Sequence, residues 1–201
     1  MITVLEALEI IKKRDELRFL HIYGTYETAL KLANLYQLDK YKISLGAILH
    51  DYAKNMPIDE QKEIINKYLD KSILDYDSAV FHGEVGSFLI QKDLGVNDQD
   101  IIQAVKYHVT GHPEMNDYAK VIYIADFTEM NRTHKGVDFC RKLSEITLDL
   151  GVLAVSEKTY QYLINSKKNA IHPLTYATYQ SFLKKVGVDY YESLKSCYES
   201  L

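Results

Sequence analysis

An all-α fold is predicted by three observations on this 201-residue chain. It contains only three prolines and nine glycines. Its apolar residues recur mostly at spacings of three and four rather than two, the pattern of helices with one buried face. No linker, repeat or low-complexity stretch divides it. With 47% apolar residues, a chain of this length can bury a core as a single domain, here a helical bundle over 1–201 with a C-terminal helical extension.

The periodicity predicts helices at about 2–15, 20–36, 41–54, 59–69, 81–93, 97–109, 118–130, 137–149, 151–167, 173–186 and 188–199. The first is amphipathic and charged, without the uninterrupted apolar core of a signal peptide. The second places His21, Thr25, Ala29 and Leu32 on one stripe. The third is apolar on every side and is expected to be central and buried. Its Ile43, Gly46, Ala47 and His50 line one face, where two small residues let another helix approach. Asn55-Met56-Pro57 breaks the chain after it, and Gly111-His112-Pro113 is the other clear break. His82 opens the fifth helix in Phe-His-Gly-Glu-Val-Gly, beside small residues. The sixth begins in Asn97-Asp98-Gln99-Asp100, whose side-chain oxygens can accept from free N–H groups, and turns Ile101, Ala104, Val105 and His108 inward. The seventh is the apolar run Val121 to Phe127, with Asp126 inside it. The last fifty residues carry no candidate ligand on an apolar face. They are expected to pack, leaving a metal-binding core of about 15–135 and an extension of about 136–201.

Composition excludes several classes. The formal net charge is -4, and no Lys/Arg stripe marks a nucleic-acid footprint. No run approaches the roughly 18 apolar residues of a membrane span. Cys140 and Cys197 lie far apart without metal-ligand spacing and read as reduced thiols, which points to the cytoplasm.

An unpaired carboxylate among apolar residues costs several kcal/mol or more, so Asp126 needs a partner or a metal. His21, His50-Asp51, His82 and His108 each open or close a helix-like segment. Singly, such residues are ordinary. In the order His, His-Asp, His, His, Asp, all on helices, they point to a divalent metal site built from five helices.

At this point the chain resembles a known family. His21, His50-Asp51 and Asp126 match the defining motif of the HD-domain metal-dependent phosphohydrolases. The segments Leu49-His50-Asp51-Tyr52-Ala53-Lys54, Phe81-His82-Gly83-Glu84-Val85-Gly86, Tyr107-His108-Val109-Thr110-Gly111 and Tyr123 to Arg132 are similar to the YqeK-type symmetrical diadenosine-tetraphosphate hydrolases. The resemblance covers about residues 15–185. The chain departs from that pattern at His112-Pro113 and at Glu129-Met130-Asn131-Arg132.

The resemblance implies His21, His50, Asp51 and Asp126 as ligands of one metal, with His82 and His108 holding a second and Asp51 bridging. Four imidazoles and two carboxylates with open positions suit an octahedral iron or manganese centre better than tetrahedral zinc, and the resemblance favours di-iron. The expected reaction is hydrolysis of diadenosine tetraphosphate to two ADP by a metal-activated hydroxide. The alternative is another nucleotide: a 5′-phosphomonoester, a cyclic nucleotide or a guanosine alarmone. Asp51, Lys54 and Arg132 are the expected catalytic residues. Lys54, Thr110, His112 and Arg132 are the expected phosphate contacts. Glu84 and Glu129 are candidates to orient a ligand imidazole, and Tyr23 or Tyr107 to stack on a base. His134 and His172 read as surface residues. The expected partner is a small dinucleoside polyphosphate or nucleotide, with no nucleic acid and no membrane. A homodimer is plausible on the resemblance.

Overall fold

A computed structural model describes residues 2–14, 16–166 and 170–199. Among them are eleven α-helices: α1 (Val4–Arg14), α2 (Phe19–Tyr36), α3 (Lys40–Leu49), α4 (Ile58–Tyr68), α5 (Phe81–Leu94), α6 (Gln99–Tyr107), α7 (Asp117–Thr128), α8 (Val137–Ile146), α9 (Leu148–Asn165), α10 (Pro173–Val186) and α11 (Val188–Glu199). Two 3-10 turns, Lys71–Asp75 and Ser78–Val80, lead into α5. No strand occurs among the described residues, so the all-α expectation holds. The predicted helix ends at 15 and 167 lie outside the described residues.

Local chemistry starts the helices where the sequence indicates. The Asp98 carboxylate accepts from Asp100 N at 2.9 Å, Asp39 from Tyr41 N at 2.8 Å, and Asn116 from Ala119 N at 2.9 Å. Each satisfies an amide that the first helical turn leaves free.

Two apolar clusters flank α3. Its Ile43 and Ala47 belong to the cluster shared with α2, α7, α9 and the C-terminal helices. Its Leu45, Ile48 and Leu49 belong to the cluster shared with α1 and α5. A helix between two cores must be apolar all round, and every residue from Ile43 to Leu49 is buried. A Cβ on Gly46 would lie 3.2 Å from both the Ala104 and Ile122 side chains, so this glycine sets how closely α6 and α7 approach. The helices α8 to α11 make up the C-terminal part of the described fold. Phe182 and Tyr191 anchor it in the first cluster, and the buried Glu157 of α9 accepts from Tyr191 Oη and Lys195 Nζ, each at 2.9 Å.

One boundary differs from the sequence expectation in a way that matters. The third helix was expected to run to about 54 but ends at Leu49. His50 caps it, and tight turns follow, with Tyr52 N bonding Leu49 O at 3.0 Å and Lys54 N bonding Asp51 O at 2.9 Å. Likewise α6 ends at Tyr107, and His108 is its cap.

Candidate metal centre

Five elements deliver the ligand candidates to one place. His21 lies in the first turn of α2, His82 in the first turn of α5 and Asp126 in the last turn of α7. His50 and Asp51 follow α3, and His108 follows α6. His50, Asp51, His82 and His108 are buried. Asp126 has fully buried neighbours at Ile124 and Ala125, yet a quarter of its own side chain is exposed, because it faces a cavity rather than the core.

Asp51 is the pivot. Its Oδ2 lies 3.3 Å from His50 Nε2 and 3.7 Å from His21 Nε2. Its Oδ1 lies 3.3 Å from His82 Nε2 and 3.5 Å from His108 Nε2. On the first side, Asp126 Oδ1 completes the group at 3.1 Å from His21 and 3.9 Å from His50. His21, His50 and Asp126 bring ligand atoms within 4.8 Å of one another, and so do His50, Asp51 and His108.

Hydrogen bonds at the back of the rings fix which nitrogen faces inward. His50 Nδ1 donates to Ala47 O at 2.6 Å and His108 Nδ1 to Val105 O at 2.7 Å. A carbonyl only accepts, so in the neutral rings Nε2 carries the lone pair. His21 Nδ1 is 3.4 Å from Glu129 Oε1, and the carboxylate sets the same tautomer there. Burial pulls His82 down to about 4, against the opposing pull of Asp51, so it is neutral at physiological pH.

Electrostatics point the same way. Burial works against a charged Asp51, but the His50 charge and hydrogen bonds from the surrounding imidazoles outweigh it and hold the carboxyl well below its ordinary range. Asp126 is lowered similarly, burial being overcome by the hydrogen bond with His21 and the charge on His50. His50 is raised, the Asp51 charge outweighing burial. The centre thus favours positive charge at the inward nitrogens. Nε2 of His82 and of His108 stand 3.1 Å apart, both facing Oδ1 of Asp51. The donor set fits a divalent metal with imidazole and carboxylate ligands.

The supporting groups divide cleanly. Glu129 is buried, and its Oε2 accepts from Asn131 N at 2.7 Å and Asn131 Nδ2 at 3.1 Å. It therefore orients His21, as one sequence expectation held. Glu84 does not share that role; it pairs with Lys106 at 3.1 Å. The loop carrying Glu129 is pinned by Arg141 of α8, which donates to Thr128 O, Glu129 O and Arg132 O at 2.7 to 2.9 Å.

A cavity of about 750 Å³ opens beside the centre, with Asp51, His82, His108 and Asp126 in its lining. Lys54 and Arg132 line it too, and Arg132 Nη2 is 3.3 Å from Asp126 Oδ1. The other two expected phosphate contacts are not brought there. The Thr110 hydroxyl donates to Gly111 O at 3.0 Å. His112 accepts from Glu114 N at 3.1 Å and stacks on Tyr107 at 4.6 Å. Both are consumed by the turn after α6, and neither lines the cavity. Tyr107 is held by that stack, and Tyr23 also lies outside the cavity lining.

Sequence reasoning missed Arg18, Lys135, Lys158, Thr159 and Tyr162, which line the cavity; His134 is exposed, as expected of a surface residue, and stands in the same lining. Arg18 also pairs with Asp51 Oδ2. Its spacing three residues before His21, on the same helical face, was the available signal. The α9 residues gave none, because a helix without ligands reads as packing.

An HD domain model matches residues 18–131. The chain is 39% identical over 176 residues to the symmetrical bis(5′-nucleosyl)-tetraphosphatase of Bacillus subtilis, covering 87% of this chain and 94% of that protein. The like-named protein of Halalkalibacterium halodurans is 35% identical over 180 residues, covering 89% and 96%. A crystal structure described as a predicted HD superfamily hydrolase involved in NAD metabolism, from Clostridium acetobutylicum, superposes with a TM-score of 0.85 at 30% identity. It covers 92% of this chain and 99% of its own. Matched by the HD model over more than half its length and aligned almost end to end with these relatives, the chain belongs to the HD-domain family, in the branch that holds the symmetrical bis(5′-nucleosyl)-tetraphosphatases.

Proposed function

We propose that the protein hydrolyses diadenosine tetraphosphate symmetrically to two ADP at a dinuclear centre, with iron as the metal and manganese as the substitute. One observation carries the dinuclear reading: the two oxygens of Asp51 face different imidazole pairs, His21 and His50 on one side and His82 and His108 on the other. Asp126 completes the first side. When bound, the metals supply a nucleophilic water at neutral pH and neutralise phosphoryl charge.

The chain's own residues do the remaining work. Asp51, Lys54 and Arg132 form the catalytic set. Lys54 acts as a point charge on a phosphate and Arg132 as a planar fork. Arg18 adds a third cation on the same cavity. Attack at an inner phosphorus releases ADP, a good leaving group, so no strong general acid is required. The metal-binding part spans about 15–135, and the extension of about 136–201 closes the cavity within one functional unit. No helix among the described residues is long and apolar enough to cross a membrane. Cys140 is a buried thiol, which supports the cytoplasm as the compartment. A small nucleotide is the partner, and a homodimer is the proposed assembly.

Product analysis tests this. Protein loaded with Fe(II) or Mn(II) and given diadenosine tetraphosphate should yield ADP alone on anion-exchange chromatography. ATP plus AMP would overturn the symmetrical assignment. No turnover there, with release from a phosphomonoester, cyclic nucleotide or guanosine tetraphosphate tried in parallel, would replace the substrate.

A further inference from the structure

The cavity has two unlike walls. The metal candidates, Arg18, Lys54 and Arg132 gather on one side, where phosphates belong. The other side is the face of α9 formed by Val155, Lys158, Thr159 and Tyr162, positions at the i, i+3, i+4, i+7 spacing of one helical stripe. This wall is largely uncharged. Its inner end is deeply buried, with Val155 1% exposed, and its outer end is open, with Tyr162 66% exposed.

At the buried end lies Tyr123, one turn before Asp126 on α7 and 2% exposed. Its hydroxyl is buried and has no hydrogen-bond partner, and Tyr123 is one of the residues around the cavity. The Thr159 side chain stands beside it without meeting hydrogen-bond geometry. Burial raises the Tyr123 phenol far above its ordinary value, so the hydroxyl keeps its proton and can donate. A buried donor without an acceptor is rare in folded proteins and needs an explanation, and here the cavity lies beside it.

We infer that the α7–α9 wall is the nucleoside subsite. Tyr123 and Thr159 hydrogen-bond the sugar or base, Val155 and Tyr162 contact its apolar faces, and Lys158 guards the rim towards the phosphates. A polyphosphate would leave these hydroxyl and apolar groups unused, whereas a nucleoside presents acceptors and a flat aromatic surface together. The inference rests on the nucleotide-hydrolase reading of the site and identifies where that substrate's uncharged part lies.

The test compares ADP with inorganic tripolyphosphate by calorimetry on metal-loaded protein, for the wild type, Tyr123→Phe, Thr159→Val and Tyr162→Ala. A lost hydrogen bond should weaken ADP about five- to tenfold and leave tripolyphosphate and metal content unchanged. The KM for diadenosine tetraphosphate should rise in step. Thr159 is only half-buried, so its variant keeps the test readable if Tyr123→Phe disturbs the core. Equal weakening of both probes would make the wall a phosphate or structural element, and unchanged ADP binding in all three variants would empty it of function; either overturns the inference. Failure of the wild type to bind ADP would overturn it too. Wild-type protein that binds ADP through this wall without hydrolysing the dinucleotide would keep the subsite and discard the activity. Hydrolysis with nucleoside-insensitive variants would do the reverse.

Discussion

The Glu129 carboxylate lies 3.4 Å from Nδ1 of His21, across 108 residues of sequence, and is itself held by two donors from Asn131. A carboxylate behind a ligand imidazole fixes its tautomer and raises its basicity. Glu129→Gln keeps the size and removes the charge. It should lower metal affinity about 10- to 100-fold, measured by competition with a chelator, with the melting temperature of the metal-free protein little changed.

The two sides of Asp51 should separate. His82→Ala or His108→Ala should halve the metal content while His21, His50 and Asp126 retain one ion. Asp51→Ala should abolish both metal binding and turnover. Elemental analysis of each purified variant decides it, and an unchanged two-metal stoichiometry in His82→Ala would leave that imidazole outside the ligand set.

Acid should unfold the metal-stripped protein in a defined window. His82 titrates near 6.5 when unfolded and about 4 in the fold, where burial depresses it. Between those values the unfolded chain binds the extra proton, so stability falls as pH drops from 6.5 to 4. His112 and His172, lowered by burial, add in the same direction. His50 is raised, so its contribution is intact below 6.5 and is lost only at higher pH. Asp51 and Asp126 are lowered, and their loss comes below the ordinary carboxylate range. Melting temperature against pH should therefore slope between 6.5 and 4, and His82→Gln should flatten part of that slope.

Arg141 grips three carbonyls of the loop that carries Glu129 and Arg132. Lysine keeps the charge but cannot serve three acceptors with a planar fork. Arg141→Lys should cost about 1–3 kcal/mol of stability, read by denaturant unfolding. It should lower kcat/KM, because the loop no longer holds Arg132 at the cavity.

A Cβ on Gly83 would lie 2.7 Å from the backbone oxygen of Lys106. Backbone cannot swing aside, so Gly83→Ala should push α5 off α6 and part His82 from His108. A loss of about 1–3 kcal/mol is expected, accompanied by loss of one metal. A stable variant with full metal content would contradict the close approach.

Much of this was legible because burial of polar residues is conspicuous in sequence. Asp126 stands out against Val121 to Phe127, and His50 against Ile43 to Leu49; both prove to be at the centre. Helix ends were less legible. His50 and His108 continue a helical pattern by spacing, but each stops its helix by bonding a carbonyl three residues back, which periodicity does not register. The α9 wall was invisible because Lys158, Thr159 and Tyr162 are unremarkable singly and acquire meaning only from the cavity in front of them. Thr110 and His112 misled for the opposite reason: polar residues in a turn satisfy the turn itself.

The candidate ligands come from elements spread between residues 21 and 126, and this spread dictates when a metal could enter. No partly folded segment holds more than a fragment of the set, so an ion adds nothing until α2, α3, α5, α6 and α7 have docked. Interactions that form after the folding barrier slow unfolding without hastening folding. The metal should therefore act as a latch on the finished protein, lengthening the lifetime of the native state by orders of magnitude while leaving its rate of formation unchanged.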